Sequence, residues 1–274
     1  MEMINAAEKK KLMLLRKKIK SLKYAVVAFS GGTDSALLAK IAYDELGCNS
    51  IAVTVCSEFI SEHEKKDAIS AAKEIGIRHM IIKAGILCLP EISDNTNERC
   101  YHCKSHVFKK IIEFSEDFSK KAFPASATII EGTNADDLSD FRPGLKALKE
   151  LKISSPFLDA GLFKKDIRAI SKYLGLKSWN KESNSCLATR IPQNKKITKK
   201  KLQQVEKAES FIKKFGTRQL RVRHFGNTAV IEVLKKDIGK IIKNKTRIIK
   251  YLNRTGFSSV LLDLEGYIRG KMNF

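Results

Sequence analysis

The sequence predicts an α/β protein, a doubly wound parallel sheet joined to a small C-terminal α+β domain, and three features predict it. Between Tyr24 and Glu131, short apolar runs alternate with longer amphipathic stretches, as βαβ units require. The first apolar run ends in a Gly-rich turn that opens a helix. Beyond Pro192 the pattern changes to a hairpin signal flanked by helical stretches.

In order, Ala6–Leu22 is Lys-rich and amphipathic and reads as a leading helix. Tyr24–Phe29 is a continuously apolar strand, Ser30-Gly31-Gly32 its turn, and Ser35–Leu46 a helix. Ile51–Val55 is a second buried strand, followed by a helix over Glu62–Ile75 that Gly76 stops. Arg78–Lys83 is a third strand, Lys104–Phe118 a helix and Thr128–Glu131 a fourth strand. In the C-terminal part, Thr198–Phe215 reads as a helix. Gln219–Arg223 and Ala229–Val233 flank Gly226-Asn227, a hairpin signal. Lys235–Lys250 reads as one further helix and Ser258–Leu264 as a last strand. With 274 residues, about two domains are expected, at 1–192 and 193–274.

Hydrophobic residues at 43% and charged residues at 30% describe a globular chain. No run reaches the roughly 18 apolar residues of a membrane span. The start, Lys9-Lys10-Lys11 followed by only Leu12–Leu15, lacks a secretory apolar region. A cytoplasmic protein without membrane partners is expected. The formal charge of +22, from 52 basic and 30 acidic residues, favours polyanions. Twelve of the basic residues are Arg, so lysine carries the excess, as a lysine-rich host composition would also produce.

Ser30-Gly31-Gly32-Thr33-Asp34-Ser35 follows a strand and opens a helix. Glycines let backbone approach phosphate oxygens, and the helix N-terminus aims N–H groups at them. Ser30 and Ser35 can donate hydroxyl hydrogen bonds, and Asp34 can hold Mg²⁺ or orient the loop. The Lys and spacing of a Walker A loop are absent. A second segment, Glu131-Gly132-Thr133-Asn134-Ala135-Asp136-Asp137, ends the fourth strand. Loops at the carboxyl ends of parallel strands build the ligand crevice of such sheets. Thr133, Asn134 and Asp137 suit nucleotide and Mg²⁺ there.

Six cysteines without an export signal argue for thiols, metal or catalysis rather than disulfides. Cys48, Cys56 and Cys88 sit singly in apolar surroundings and read as buried structural thiols. Cys100-Tyr101-His102-Cys103 is a CxxC pair in a loop opening the helix near Lys104, and Cys186 lies in Ser183–Arg190. Two thiolates on one turn with a third elsewhere suit a 4Fe–4S cluster with an open corner. Zinc, with His102 awkwardly placed to help, and unbound thiols remain open from spacing alone. In the last domain, Arg221 and Arg223 lie two apart on a strand, so both point to one face. Paired guanidiniums fit a phosphate monoester. Arg142 and Arg190 are weaker candidates for contacting nucleotide or intermediate. Glu232 can face the same pocket, while His224 and Trp179 read as structural.

The hexapeptide at Ser30 resembles the SGGxDS signature of PP-loop ATP pyrophosphatases, with an adenine nucleotide alpha hydrolase-like fold. The stretches SGGTDSALL, GTNADDLSDFRPG, AGLFKKDIRAISKYLGLKSW, SCLATRIP, RVRHFGNTAVIEV and LDLEGYIRG run in order from Ser30 to Gly270. Together they resemble the LarE family of ATP-dependent sulfur transferases. The resemblance implies ATP, Mg²⁺ and a small-molecule substrate, pyridinium-3,5-biscarboxylic acid mononucleotide. Its carboxylates would be adenylated, with pyrophosphate released, and converted to thiocarboxylates for a nickel-pincer nucleotide cofactor. It implies nucleotide contacts from Ser30, Gly31, Gly32, Thr33, Asp34, Ser35, Thr133, Asn134 and Asp137. Catalysis would fall to Cys186 and Asp34, and the substrate phosphate to Arg221, Arg223 and Arg190. The presence of Cys100 and Cys103 beside Cys186 resembles the three-cysteine branch, in which a 4Fe–4S cluster on those thiols delivers sulfur from a sulfide donor. Sacrifice of the Cys186 sulfur is the single-cysteine route, and a homo-oligomer is implied. The alternative is a PP-loop tRNA thiolation enzyme using an iron–sulfur cluster, which the +22 charge fits. The lack of a recognisable RNA-binding module and the narrow CLATRIP and RVRH matches count against it. A nucleotide sensor or iron–sulfur scaffold is a third, non-enzymatic reading.

Overall fold

A computed structural model describes residues 3–123, 125–138, 143–182 and 185–268, so Arg142, Ser183, Asn184 and the Arg269-Gly270 end of the last motif lie outside the described residues. The chain divides into two compact units. The first holds residues 1–57, 62–85 and 100–183; the second holds 58–61, 86–99 and 184–274.

The first unit is built on a sheet of four parallel strands: β1 (Ala25–Ala28), β2 (Ser50–Cys56), β3 (Arg78–Lys83) and β4 (Thr128–Ile130). Their order is β3-β2-β1-β4. The helix α1 (Ala6–Ser21) starts on a capping box, Asn5 and Glu8 bonding each other's backbone, and buries Leu12, Leu15 and Ile19. The helix α2 (Thr33–Leu46) buries Ala36–Ala39, Ile41 and Ala42. It is apolar nearly all round because α1, β1 and α3 (Glu62–Ile75) pack about it. The chain winds from β1 through α2 and α3 to β3, then places β4 on the other side of β1. That reversal puts a crevice at the carboxyl ends of β1 and β4, as the α/β expectation required.

The short helix α4 (Pro90–Ser93) belongs to the second unit. The helix α5 (Arg99–Ala122) belongs to the first from Cys100 onward. It starts about a turn earlier than expected, so Cys100 and Cys103 are helical rather than in a loop. The early start is fixed by Asn95, whose side-chain oxygen accepts from the buried Arg99 guanidinium. The first unit closes with α6 (Pro143–Glu150), α7 (Pro156–Asp159) and α8 (Lys164–Tyr173).

In the second unit α9 (Lys199–Lys213) is capped by Thr198, which accepts from the Lys201 N–H. The strands β5 (Leu220–Phe225) and β6 (Thr228–Val233) form the expected antiparallel hairpin. The stretch expected as one helix over Lys235–Lys250 is broken into a 3₁₀ turn at Lys235–Asp237, α10 (Ile238–Lys243) and α11 (Lys245–Arg254). The break falls at Asn244, whose Nδ2 and N–H both donate to the Lys240 carbonyl; Asn competes with helix in this way. The strand β7 (Ser259–Leu262) pairs parallel with β6, so this sheet is mixed. Its core gathers Ala208 and Ile212 of α9, Val222, Ile231, Ile248, Leu252 and Phe257. Among the described residues no helix is long and apolar enough to cross a membrane.

Candidate functional site

At the end of β1, Ser30 and Ser35 lock the turn. The Ser30 N–H donates to Ser35 Oγ at 3.1 Å, and the two hydroxyls lie 3.0 Å apart. Gly31 takes φ +68°, and a Cβ there would lie 2.5 Å from Ala68 Cα of α3. Only glycine passes so close in that conformation. Gly32 is the N-cap of α2 and brings no capping side chain, which leaves the helix's first N–H groups to an anion. Thr33 is buried, and its hydroxyl donates to the Ser178 carbonyl at 2.7 Å. Asp34 pairs with Lys164, the first residue of α8. Burial raises the Asp34 pKa above the ordinary carboxylate value; Lys164 opposes the rise and Asp137 adds to it.

The loop after β4 meets this turn. A Cβ on Gly132 would lie 3.2 Å from Asp34 Cβ and 3.4 Å from the Ser35 nitrogen. The buried Glu131 carboxylate accepts from the Thr133 N–H at 3.0 Å and hydroxyl at 2.7 Å. The Asn134 N–H donates to Asp137 at 3.1 Å, and Asn134 Oδ1 accepts from the Asp136 N–H at 3.1 Å. Lys164 ties α8 to this loop, its N–H donating to Asp136 at 2.6 Å. The structure thus brings Ser30–Ser35 together with Thr133, Asn134 and Asp137. The N-terminus of α2, without a capping side chain at Gly32, fits a triphosphate. Hard oxygen donors from Asp34 and Asp137 fit Mg²⁺, which is held by one or two carboxylates plus phosphates.

Cys100 and Cys103 lie three apart on the first turn of α5, and so on one helix face. Cys100 is exposed and Cys103 half-buried. Cys186, half-buried, belongs to the second unit, where it caps the 3₁₀ turn Leu187–Arg190. Among the described residues, no three His, Cys, Asp or Glu side chains gather closely enough to hold a metal ion. No disulfide joins any of the six cysteines. Cys48 and Cys88 are exposed and Cys56 half-buried, a correction to the expectation of buried thiols. Cys48 falls in the 3₁₀ turn Gly47–Asn49 that ends α2, and Cys88 in the loop before α4.

Besides Arg99, the second unit buries Arg190, Arg221 and Arg223. Arg223 Nη2 pairs with Glu232 at 2.7 Å and its Nη1 donates to the Thr189 carbonyl at 2.9 Å. Its Nε is buried with no hydrogen-bond partner among the described residues. Arg221 stacks over the Tyr267 ring at 5.1 Å. Burial lowers its pKa from the usual guanidinium value, the charge of Arg190 adds to the fall, and Glu209 opposes it. Arg190 is bound on both sides: Nε and Nη2 to Glu209 at 2.8 and 3.1 Å, Nη1 to the Ser185 carbonyl at 2.6 Å. His224 Nε2 donates to Gln204 Oε1 at 3.1 Å, and Trp179 stacks under Lys172 at 4.7 Å.

Three residues of these clusters escape sequence reasoning. Lys164 carried a signal only in hindsight: an apolar pair before a Lys at a helix start whose Asp166 caps the Phe163 N–H. Glu209 sits in a run of polar α9 residues and reads as solvated, yet it is 6% exposed. Tyr267 is placed by Gly266, whose φ of +77° and 2.6 Å clearance to the Val233 carbonyl exclude a Cβ.

Compared with known proteins, residues 8–98 match the NAD synthase family model. A Lactiplantibacillus plantarum protein, pyridinium-3,5-bisthiocarboxylic acid mononucleotide synthase, is 34% identical over 93% of this chain and 91% of its own. An uncharacterized Synechocystis protein, slr1717, is 38% identical over 96% of this chain and 97% of its own. An uncharacterized Methanocaldococcus jannaschii protein, MJ0830, is 36% identical over 94% and 97%.

Proposed function

Because the chain belongs to the LarE family of ATP-dependent sulfur transferases, we propose that this ATP-dependent enzyme makes thiocarboxylates. Its substrate in this reading is pyridinium-3,5-biscarboxylic acid mononucleotide and its product serves nickel-pincer cofactor biosynthesis. One observation carries the reading: the Ser30–Ser35 turn and the Gly132–Asp137 loop converge at the sheet's switch point, around the bare N-terminus of α2.

Here the α2 N–H groups and the Ser30 and Ser35 hydroxyls take the ATP phosphates, and Asp34 with Asp137 holds Mg²⁺. A substrate carboxylate oxygen attacks the α-phosphorus and pyrophosphate leaves, giving an acyl-adenylate. Lys164 stands where it can move from Asp34 to the negative charge that builds on the leaving pyrophosphate. In the second unit Arg221 and Arg223 take the substrate phosphate. Support comes from the burial of both guanidiniums and from the Arg223 Nε, which is buried with no hydrogen-bond partner among the described residues. An anion's oxygen would take that donor.

For sulfur, we assign Cys186 the transfer role, with Cys100 and Cys103 completing the ligand set of a 4Fe–4S cluster. The i, i+3 spacing, which sets both thiols on one face of α5, supports the pair. A cluster held by Cys100, Cys103 and Cys186 would supply a reusable sulfur from a sulfide donor in place of the cysteine's own. The homo-oligomer belongs to the same reading. An anaerobic assay with ATP, Mg²⁺, sulfide and the pyridinium dicarboxylate tests it, reading thiocarboxylate and pyrophosphate together. Pyrophosphate release that ignores the dicarboxylate overturns it. Iron bound equally by wild type and Cys103→Ser after anaerobic reconstitution removes the cluster from it. The charge of +22 keeps tRNA as the second substrate to test: a salt-sensitive tRNA shift with no binding of the mononucleotide decides for it.

A further inference from the structure

The turn that carries Cys186 is only four residues of 3₁₀ helix, Leu187–Arg190. So short a turn has little stability of its own, because nucleation consumes more conformational freedom than one hydrogen bond returns. Its shape must come from elsewhere in the unit, and Arg190 supplies it.

Arg190 Nη1 donates to the Ser185 carbonyl at 2.6 Å, to the Cys186 carbonyl at 3.0 Å and to Thr189 Oγ1 at 3.1 Å. It thus grips the chain on both sides of the thiol. The other edge of the guanidinium is held by both oxygens of Glu209, 2.8 and 3.1 Å away. Glu209 Oε1 also accepts the Val222 N–H of β5 at 3.0 Å. A line of hydrogen bonds therefore runs from the Cys186 carbonyl through Arg190 and Glu209 to the backbone between Arg221 and Arg223. Both members of the pair are buried, at 3% and 6% exposure. Stability alone is a poor reason for such a pair, since apolar residues of similar volume often serve as well. What apolar residues cannot do is choose which carbonyls face which donors.

We propose that Arg190 and Glu209 are positioning residues for Cys186: together they fix the turn so that the thiol is presented in one orientation, referenced to the arginine strand. This deepens the sulfur-transfer reading, on which the use of that orientation rests, and assigns Arg190 a role within the protein rather than on the substrate phosphate.

The test is site-resolved alkylation of the reduced full-length protein by iodoacetamide, followed by peptide mass spectrometry. The exposed Cys48 and Cys88 serve as references within the same chain. Arg190→Lys and Glu209→Gln are each expected to change the Cys186 rate, relative to Cys48, about fivefold or more. The double variant should change it no further than the larger single one, because both cut one link. Ser185→Ala, which removes only the hydroxyl that accepts from Arg190 Nη1 at 3.0 Å and leaves the Arg190–Glu209 pair in place, should change it about twofold. Cys186 ratios within twofold of wild type in both charged-pair variants, or effects that multiply in the double variant, overturn the proposal. Should circular dichroism show either variant unfolded, Ser185→Ala and Thr189→Val decide, and unchanged ratios in both overturn it. Thiocarboxylate formed per pyrophosphate is read on the same samples. A wild type that forms none defeats the sulfur-transfer reading, while the alkylation ratios judge the positioning role independently.

Discussion

Replacing Gly31 with Ala tests the phosphate turn where geometry is least forgiving. Two costs add. The left-handed conformation at φ +68° costs a Cβ-bearing residue about 1–2 kcal/mol. The added methyl would sit 2.5 Å from Ala68 Cα and 2.7 Å from its nitrogen. Those atoms are helix backbone, so α3 must shift, at about 1–3 kcal/mol. The sum is about 2–5 kcal/mol, and at 3 kcal/mol the folding equilibrium falls by roughly two orders of magnitude. For a chain of this size the midpoint of thermal unfolding drops by about 6–12 °C. Gly32 provides the control inside the same turn. Its φ is −79° and a Cβ would meet only Ser30 Oγ at 3.3 Å, a hydroxyl that can rotate. Gly32→Ala should therefore cost under about 1 kcal/mol of stability but crowd the helix N-terminus that receives phosphate. Thermal unfolding with and without ATP and Mg²⁺ separates the two effects. Wild type gains about 2.7 kcal/mol at 100 times the dissociation constant, and Gly32→Ala should gain less. A Gly31→Ala protein melting within about 2 °C of wild type, or matching Gly32→Ala, refutes the reasoning.

Lys164→Ala leaves Asp34 without its cation, so the carboxyl, raised chiefly by burial, rises further; ATP-dependent pyrophosphate release should fall about 10²-fold, and an unchanged rate rejects the role given to Lys164. Arg223→Lys replaces a planar fork by a single ammonium; KM for the mononucleotide should rise about tenfold or more while ATP binding, measured by calorimetry, stays the same. Burial lowers the pKa of both His79 and His224, so the folded chain binds fewer protons than the unfolded one just below pH 6.5. Stability is then full above about pH 6.5 and declines as pH falls toward the folded pKa values; urea unfolding between about pH 5 and 8 checks this, and a flat profile contradicts it.

What the sequence could show follows the range of the interaction involved. The helix over Glu62–Ile75 and the strand over Arg78–Lys83 were read to the residue because periodicity and a stopping glycine are local. The turn at Ser30 was equally readable, since each residue type there answers to a backbone need within six positions. The start of α5 was not, because Asn95 and Arg99 fix it through a side-chain contact that patterning does not encode. The same holds for the second unit's claim on residues 58–61 and 86–99: Asn95 Nδ2 donates to the Pro192 carbonyl at 2.7 Å, a link 97 positions long. Lys164 reaches Asp34 across 130 positions, so its relevance is a product of folding. Glu209 illustrates the converse. A Glu among Lys and Gln on a helix looks solvated until an arginine from another segment folds over it.

The two clusters also differ in charge balance, and this separates their chemistry. Around Asp34 the first unit sets Asp136 and Asp137 against Lys164, Arg168 and Lys181, whose Nζ donates to the Gly31 carbonyl at 3.1 Å, beside an N–H-rich helix start. A phosphate carrying a divalent cation offers oxygens to the N–H groups and ammoniums and a cation to the carboxylates. In the second unit Arg190, Arg221 and Arg223 outnumber Glu209 and Glu232. The Arg223 Nε, buried with no hydrogen-bond partner among the described residues, offers a donor to an anion that brings no metal. A divalent cation would add to the burden rather than relieve it. The proposed function accordingly sends a metal-bound triphosphate to the first cluster and a metal-free phosphate monoester to the second. Fluoride-free phosphate titrations bear directly on this: inorganic phosphate should quench reactivity at the arginines without Mg²⁺, and added Mg²⁺ should weaken rather than strengthen that protection.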